Sequence, residues 1–277
     1  MPGKTDFFPG VETHYLGGNY AILNAGAHVL AWTPREQVPV LWVSPLAVFE
    51  PGVAVRGGVP VVFPWFGAGP SGDRTPAHGF ARTASWERVG LVDDVAATGR
   101  LEVRHRLTEE GFDSAPFTAE LVSEFTRDHL RVSLAVTNTG TETFTYEEAL
   151  HTYLAVSDVA RVSLDGLDGS TYTDKVDGGE HVQAGPVRFT GETDRLYAHT
   201  GEVILDDPEW SRKITVSKEG SATTVIWNPG ATRGAGLADV GKYWADFVCV
   251  EAANTGAEAV TVLAGETHIL TQTLKLA

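Results

Sequence analysis

The chain has 277 residues, 43% of them hydrophobic, enough to bury a sizeable core in one large domain or two small ones. Lys and Arg total 21 against 36 Asp and Glu, and the net charge of −15 excludes generic binding to nucleic acids or anionic membranes. No apolar run approaches the roughly 20 residues of a membrane span, and a single cysteine, Cys249, rules out an intrachain disulfide and reads as a small core residue.

In chain order, the opening MPGKTDFFPG lacks the apolar core of a secretion signal, so a soluble, cytoplasmic protein is expected. The first stretch with chemical promise is VRGGVPVVFPWFG, where Arg56 precedes a Gly-Gly pair and an apolar run leads to Pro64, Trp65 and Phe66. PAHGFAR follows, with His78 and Arg82 set around Gly79. Glycine beside arginine lets a ligand approach the backbone, and guanidinium groups suit bidentate contact with phosphate or carboxylate. Trp65 and Phe66 offer a flat face for a sugar ring. The alternative is plain structure, with the arginines in ion pairs and the aromatics in the core. Their concentration between residues 56 and 82 of an acidic chain favours an anion-binding rim.

Period-two alternation then takes over. LEVRHRL reads as a strand, and TAELVSEFTRDHLRVSLAVTN as a hairpin. In the hairpin, Ala119, Leu121, Ser123 and Phe125 alternate with polar neighbours, as do Leu130, Val132, Leu134 and Val136 after a turn at Arg127-Asp128. In EEALHTYLAV, His151 shares a strand face with Ala149 and Tyr153. It reads either as a hydrogen-bonded core histidine or as a proton-transfer group. Glu147 and Glu148 just before it mark an exposed strand start, or else Glu147 orients His151. Asp194, in FTGETDRLY, reads on its own as a salt-bridge partner. KITVSKE, ATTVIWN and HILTQTLKL repeat the strand habit, while GLADVGKYW suggests a short helix or turn. In DFVCVEAAN, Phe247, Cys249 and Glu251 fall on one face and Val248, Val250 and Ala252 on the other. A carboxylate in so apolar a strand is costly to bury ionised, so its pKa should rise towards the range of a general base. The whole, residues 1–277, reads as one all-β domain punctuated by 30 glycines and 14 prolines.

HExxH, paired CxxC and H-x-H patterns are missing, as are GxSxG, the P-loop and GxGxxG, so neither a metal nor a nucleotide cofactor is expected.

Taken in order, RGGVPVVFPWFG, PAHGFAR, EEALHTYLAV, GETDRLY, WNPG and FVCVEAAN resemble the hexose-6-phosphate mutarotases, or glucose-6-phosphate 1-epimerases, of the galactose-mutarotase-like group. The resemblance runs from about Leu30 to the C-terminus. It implies a β-supersandwich of two large antiparallel sheets. It also implies His151 as general acid, Glu251 as general base, and Arg56, Arg82 and Asp194 as substrate contacts, with His78 lining the site. Ala77 departs from the pattern, since relatives often place a ligand-touching polar residue there. The implied reaction is anomer exchange of a hexose 6-phosphate by ring opening and closure, in a monomer without metal or cofactor. An epimerase of free aldoses and a non-catalytic carbohydrate-binding β-sandwich are the competing readings. The arginines speak against the first, and the buried Glu251 opposite a histidine against the second.

Overall fold

The computed structural model describes residues 10–15, 18–34, 36–112 and 115–276. The first nine residues, on which the reading of the N-terminus rests, lie outside them.

The predicted hairpin forms as read. Ala115–Phe125 and His129–Asn138 pair antiparallel, with Phe125 opposite Leu130 at the turn end. One face of each is buried and the other partly exposed, the signature of a sheet packed on one side only. These strands sit inside an eight-stranded sheet. Its spatial order is Ser163–Asp165, Val203–Asp207, Arg212–Glu219, Thr267–Leu276, His129–Asn138, Ala115–Phe125, Arg100–Phe112 and Glu87–Asp94.

The second large sheet carries the pocket. Along its path lie Glu180–Val182, Thr171–Asp174, Thr193–Ala198, Thr223–Asn228, Phe247–Asn254, Glu148–Leu150 and Val61–Val62. Tyr153–Ala155 also pairs with Phe247–Asn254. The two faces read from DFVCVEAAN are both real and both covered. Val248, Val250 and Ala252 pack into the core between the sheets, while Phe247 and Cys249 join Trp42, Tyr153 and Trp227 on the opposite face. Every residue from Phe247 to Asn254 is therefore buried, as a strand covered on both sides must be.

GLADVGKYW forms the turn and short helix that its pattern suggested. The α-helix lies upstream, at Gly230–Gly236, and Gly241–Asp246 forms a 3-10 helix. Gly234 packs its bare backbone against Trp244, where a Cβ would come within 2.6 Å of that side chain. Packing, more than helix propensity, holds this turn-rich segment beside the pocket. Among the described residues no helix is long and apolar enough to cross a membrane.

Candidate active site

Register brings the two proton-transfer candidates together. Leu150 faces Ala252 and Tyr153 faces Cys249, so His151 falls opposite Glu251 on the neighbouring strand. The ladder opens at this point, and the His151 N–H donates to Pro60 O instead of to its neighbour. His151 Nε2 lies 3.2 Å from Glu251 Oε1. Glu251 Oε2 and His151 Nδ1 are buried without a hydrogen-bond partner among the described residues.

The electrostatics of the pair follow from this placement. Burial pushes Glu251 well above the usual carboxylate range, nearby Asp194 adds to the rise and Lys175 opposes it. Burial also drives His151 well below the usual imidazole value, helped by His78, Arg56 and Arg82. Two buried groups at this distance titrate as a unit, and the free protein favours neutral imidazole beside neutral carboxyl.

The arginine loops converge on the same spot. A cleft of about 380 Å³ is lined by Arg56, His78, Arg82, His151, Asp194 and Glu251, together with Phe66, Trp227, Lys175 and Arg233. Arg56 leaves the strand system at a turn only glycine allows. Gly58 has φ of +67°, and a Cβ there would meet Val29 O at 2.2 Å. The guanidinium donates to Asp239 and, through Nη1, to the Tyr153 hydroxyl, both at 2.9 Å. Arg56 is therefore an ion-pair partner as well as a pocket wall. Burial alone would lower its proton affinity, but Tyr153 and Asp239 outweigh burial and hold it charged.

Arg82 is fixed by donating from Nη2 to Ala77 O at 2.6 Å, and burial lowers its proton affinity. Ala77 itself lines the cleft. Between these residues, His78 adopts φ of +66°, a sparsely populated region for a non-glycine residue. Gly79 cannot be replaced there, since a Cβ would lie 1.9 Å from Phe63 O. The resulting turn aims the His78 ring edge-on at His151, centroids 5.9 Å apart. Burial and the charges of Arg82, Lys175 and Arg56 lower His78 to about 3, so it is a neutral ring. Its Nδ1 accepts from the Gly67 N–H at 3.2 Å, which leaves the proton on Nε2 as a donor.

Asp194 stands cross-strand from Trp227 and lines the cleft, while its sequence neighbour Arg195 pairs with Asp174 at 3.1 Å. Arg233 Nη1 lies 4.0 Å from Asp194 Oδ2. Burial raises Asp194 against the pull of Lys175 and Arg233. Of the two aromatics in the FPWFG turn, Trp65 belongs to the core and Phe66 to the cleft, where the Lys175 ammonium lies 4.8 Å from its ring centroid.

Sequence reasoning missed Lys175, Arg233 and the Arg56 anchor Asp239. Lys175, in YTDKVDGGE, sits in polar, turn-like surroundings that mimic ordinary surface. Tyr153 had a usable signal, because it shares strand parity with His151. Neither Glu147 nor Glu148 is exposed, and neither orients His151. Glu147 accepts from the Phe66 and Gly256 N–H groups and the Thr255 hydroxyl, so it anchors the FPWFG turn.

A carboxylate–imidazole pair at the bottom of a cation-walled cleft, borne on one sheet of a two-sheet sandwich, defines a class of acid/base enzyme. The chain belongs to the aldose 1-epimerase family, whose model matches residues 13–275. That family makes it an isomerase that interconverts sugar anomers. The chain is 36% identical over 233 residues to an Escherichia coli (strain K12) protein provisionally named glucose-6-phosphate 1-epimerase, covering 82% of this chain and 77% of that one. A Cenchrus ciliaris protein of the same provisional name is 30% identical over 241 residues, 82% of this chain and 72% of that one. The solved structure of a Salmonella typhimurium protein provisionally described as a mutarotase superposes with a TM-score of 0.87 at 28% identity, over 96% of this chain and 89% of that one. These likenesses bear out the galactose-mutarotase-like fold that the motifs implied.

Proposed function

We propose that the protein exchanges the α and β anomers of a hexose 6-phosphate, with glucose 6-phosphate as the expected substrate. The observation that carries this reading is the joining, in one cleft of a chain of net charge −15, of the His151–Glu251 pair with Arg56 and Arg82. The names of the Escherichia coli and Cenchrus ciliaris relatives point the same way.

Glu251 takes the proton of the C1 hydroxyl, the O1–H electrons form the C1 carbonyl, and the C1–O5 bond breaks. The ring oxygen receives its proton from His151. Rotation about C1–C2 exposes either carbonyl face, and the same steps reversed close the ring. The working state therefore needs the proton on His151 and the carboxylate on Glu251. It differs from the resting state only by transfer of one proton across the pair. Arg56 and Arg82 hold the phosphate, while Asp194 and His78 meet sugar hydroxyls, so that binding energy orients C1 between acid and base. A charged phosphosugar that crosses no bilayer unaided fits a cytoplasmic enzyme.

Magnetisation-transfer NMR on glucose 6-phosphate tests the reading. Anomer exchange should exceed the protein-free rate. Exchange at the buffer rate would overturn it.

A further inference from the structure

Arg56 does not stand apart from the acid/base pair. Its Nη1 donates to the Tyr153 hydroxyl at 2.9 Å, and the Tyr153 ring stacks on His151 with centroids 4.8 Å apart and planes 16° from parallel. Tyr153 has no slack. It is 2% exposed and packed against Trp42 at 5.8 Å and Phe247 at 5.2 Å. Trp227 closes the group, edge-on to His151 at 5.9 Å and to Tyr153 at 6.2 Å, with the Arg56 guanidinium 6.0 Å from its own ring. Interiors this dense pass a shift of one side chain to the next. A movement of Arg56 towards a bound anion is thus felt at the imidazole through one intervening ring.

Charge supplies a second, independent link. After burial and His78, the groups that most depress protonation of His151 are Arg56 and Arg82. A dianion seated on those arginines cancels their field where the acid must hold its proton. Contact and charge act in the same direction.

On the hexose-phosphate reading above, we propose that the phosphate group is an activator as well as an anchor. A dianion on Arg56 and Arg82 moves the His151–Glu251 pair into its working arrangement, with Tyr153 as the positioning residue between the two sites. The covalent link between phosphate and sugar is then dispensable, and an inorganic dianion bound in trans activates the protein towards unphosphorylated glucose. By reciprocity, glucose tightens the binding of that dianion.

The test uses the full chain and inorganic phosphite as the probe. Anomer exchange of free glucose is followed by magnetisation-transfer NMR at fixed pH and ionic strength as phosphite is raised. Protein-free controls are subtracted at every concentration, because oxyanions catalyse anomer exchange themselves. The expected result is a saturable rise of about 5–150-fold in kcat/KM for glucose, the usual span of coupling between two sites. Half-saturation should fall at the phosphite concentration that half-inhibits glucose 6-phosphate turnover competitively. Arg56→Ala should abolish the activation. Tyr153→Phe, which removes only the hydroxyl contact, should still bind phosphite but show a smaller rise.

Phosphite that inhibits glucose 6-phosphate turnover yet leaves glucose exchange at its phosphite-free rate, detectable or not, would overturn the inference and leave the hexose-phosphate reading standing. Full activation in Tyr153→Phe would overturn the route through Tyr153. Absence of glucose 6-phosphate exchange in the same samples would overturn the underlying reading itself.

Discussion

Among the described residues, two buried glutamates each face a histidine at nearly equal distance. On the cleft face, His151 Nε2 lies 3.2 Å from Glu251 Oε1; in the seam between the sheets, His268 Nε2 lies 3.1 Å from Glu148 Oε1. Their surroundings differ in what else they offer. Glu148 Oε1 also accepts from Asn254 Nδ2 at 2.9 Å, and His268 Nε2 has Gly220 O at 3.0 Å. Two acceptors thus keep the His268 proton in place, and hydrogen bonding to Glu148 raises its pKa. Burial raises Glu148, but the bonds from His268 and Asn254 pull it back. Among the described residues the His151 ring has Glu251 as its one hydrogen-bonding neighbour, and three cationic or cationisable groups oppose its charging. Each pair leaves one carboxylate oxygen, Glu251 Oε2 or Glu148 Oε2, without a hydrogen-bond partner among the described residues, so the difference lies at the imidazole, where His151 Nδ1 is buried and unpartnered while His268 Nε2 is held between two acceptors. The seam pair ties two sheets together, and the cleft pair is left able to move a proton.

Substitution should separate the pairs most sharply by activity. Glu251→Gln and His151→Ala should each lower kcat for glucose 6-phosphate by roughly 10²–10⁴, the share of a positioned proton-transfer group. Both should stay folded, as judged by circular dichroism. A folded variant with near-full turnover would remove that residue from the mechanism. Glu148→Ala should do the reverse. It should cost up to about 3 kcal/mol of unfolding free energy, the low end for a broken buried pair because His268 is partly exposed. Its kcat per folded molecule should stay within about twofold. Denaturant midpoints and kcat measured on one preparation check both halves, and a large loss of kcat with an unchanged midpoint would reverse the assignment of the pairs.

The anion rim should show a smaller effect, in KM through lost anchoring and in kcat through lost activation. A hydrogen bond to a charged group contributes about 1.5–3 kcal/mol, so Arg56→Ala or Arg82→Ala should raise KM for glucose 6-phosphate by roughly 10–150-fold. KM for free glucose should change far less. Equal damage to both substrates would mean that these arginines serve the fold or the sugar ring.

The smallest predicted difference lies in the pH dependence of stability, where the two histidines should have opposite signs. His268 is raised in the folded state, so its contribution is complete below the unfolded value of about 6.5 and is lost as pH climbs through the folded value. His151 is depressed, so the unfolded chain binds a proton the folded one refuses, and stability falls as pH drops below about 6.5. His268→Ala should therefore flatten the alkaline limb of a stability–pH curve, and His151→Ala the acidic limb. Thermal midpoints across that range would show it, and slopes of the same sign would contradict the division between the pairs.

Much of this was readable from the chain. The Ala115–Asn138 hairpin and the two faces of Phe247–Asn254 follow from alternation alone, because side chains in a strand change face at every residue. Glu251 and His151 drew attention as polar residues in apolar strands, and Arg56, His78 and Arg82 as charged or aromatic groups beside glycines. What escaped was the role of Glu147 and Glu148. Two adjacent carboxylates look like solvated surface, yet one anchors the FPWFG turn and the other joins the sheets. The helix at Gly230–Gly236 escaped too, since GATRGAG is poor in helix formers and is held by packing against Trp244.

By itself, the order of residues determined the all-β class, the strand faces and the set of groups able to do chemistry. These are local properties, written in a two-residue period and in the pairing of glycine with arginine. Only the tertiary structure decided which histidine meets which glutamate. His151 lies 100 positions from Glu251 and His268 lies 120 from Glu148, and strand pairing and sheet packing bring each pair within hydrogen-bonding distance. It also decided the charges. A pKa is set by the burial and the neighbours that the fold assembles around a group, and no side chain carries these along the sequence.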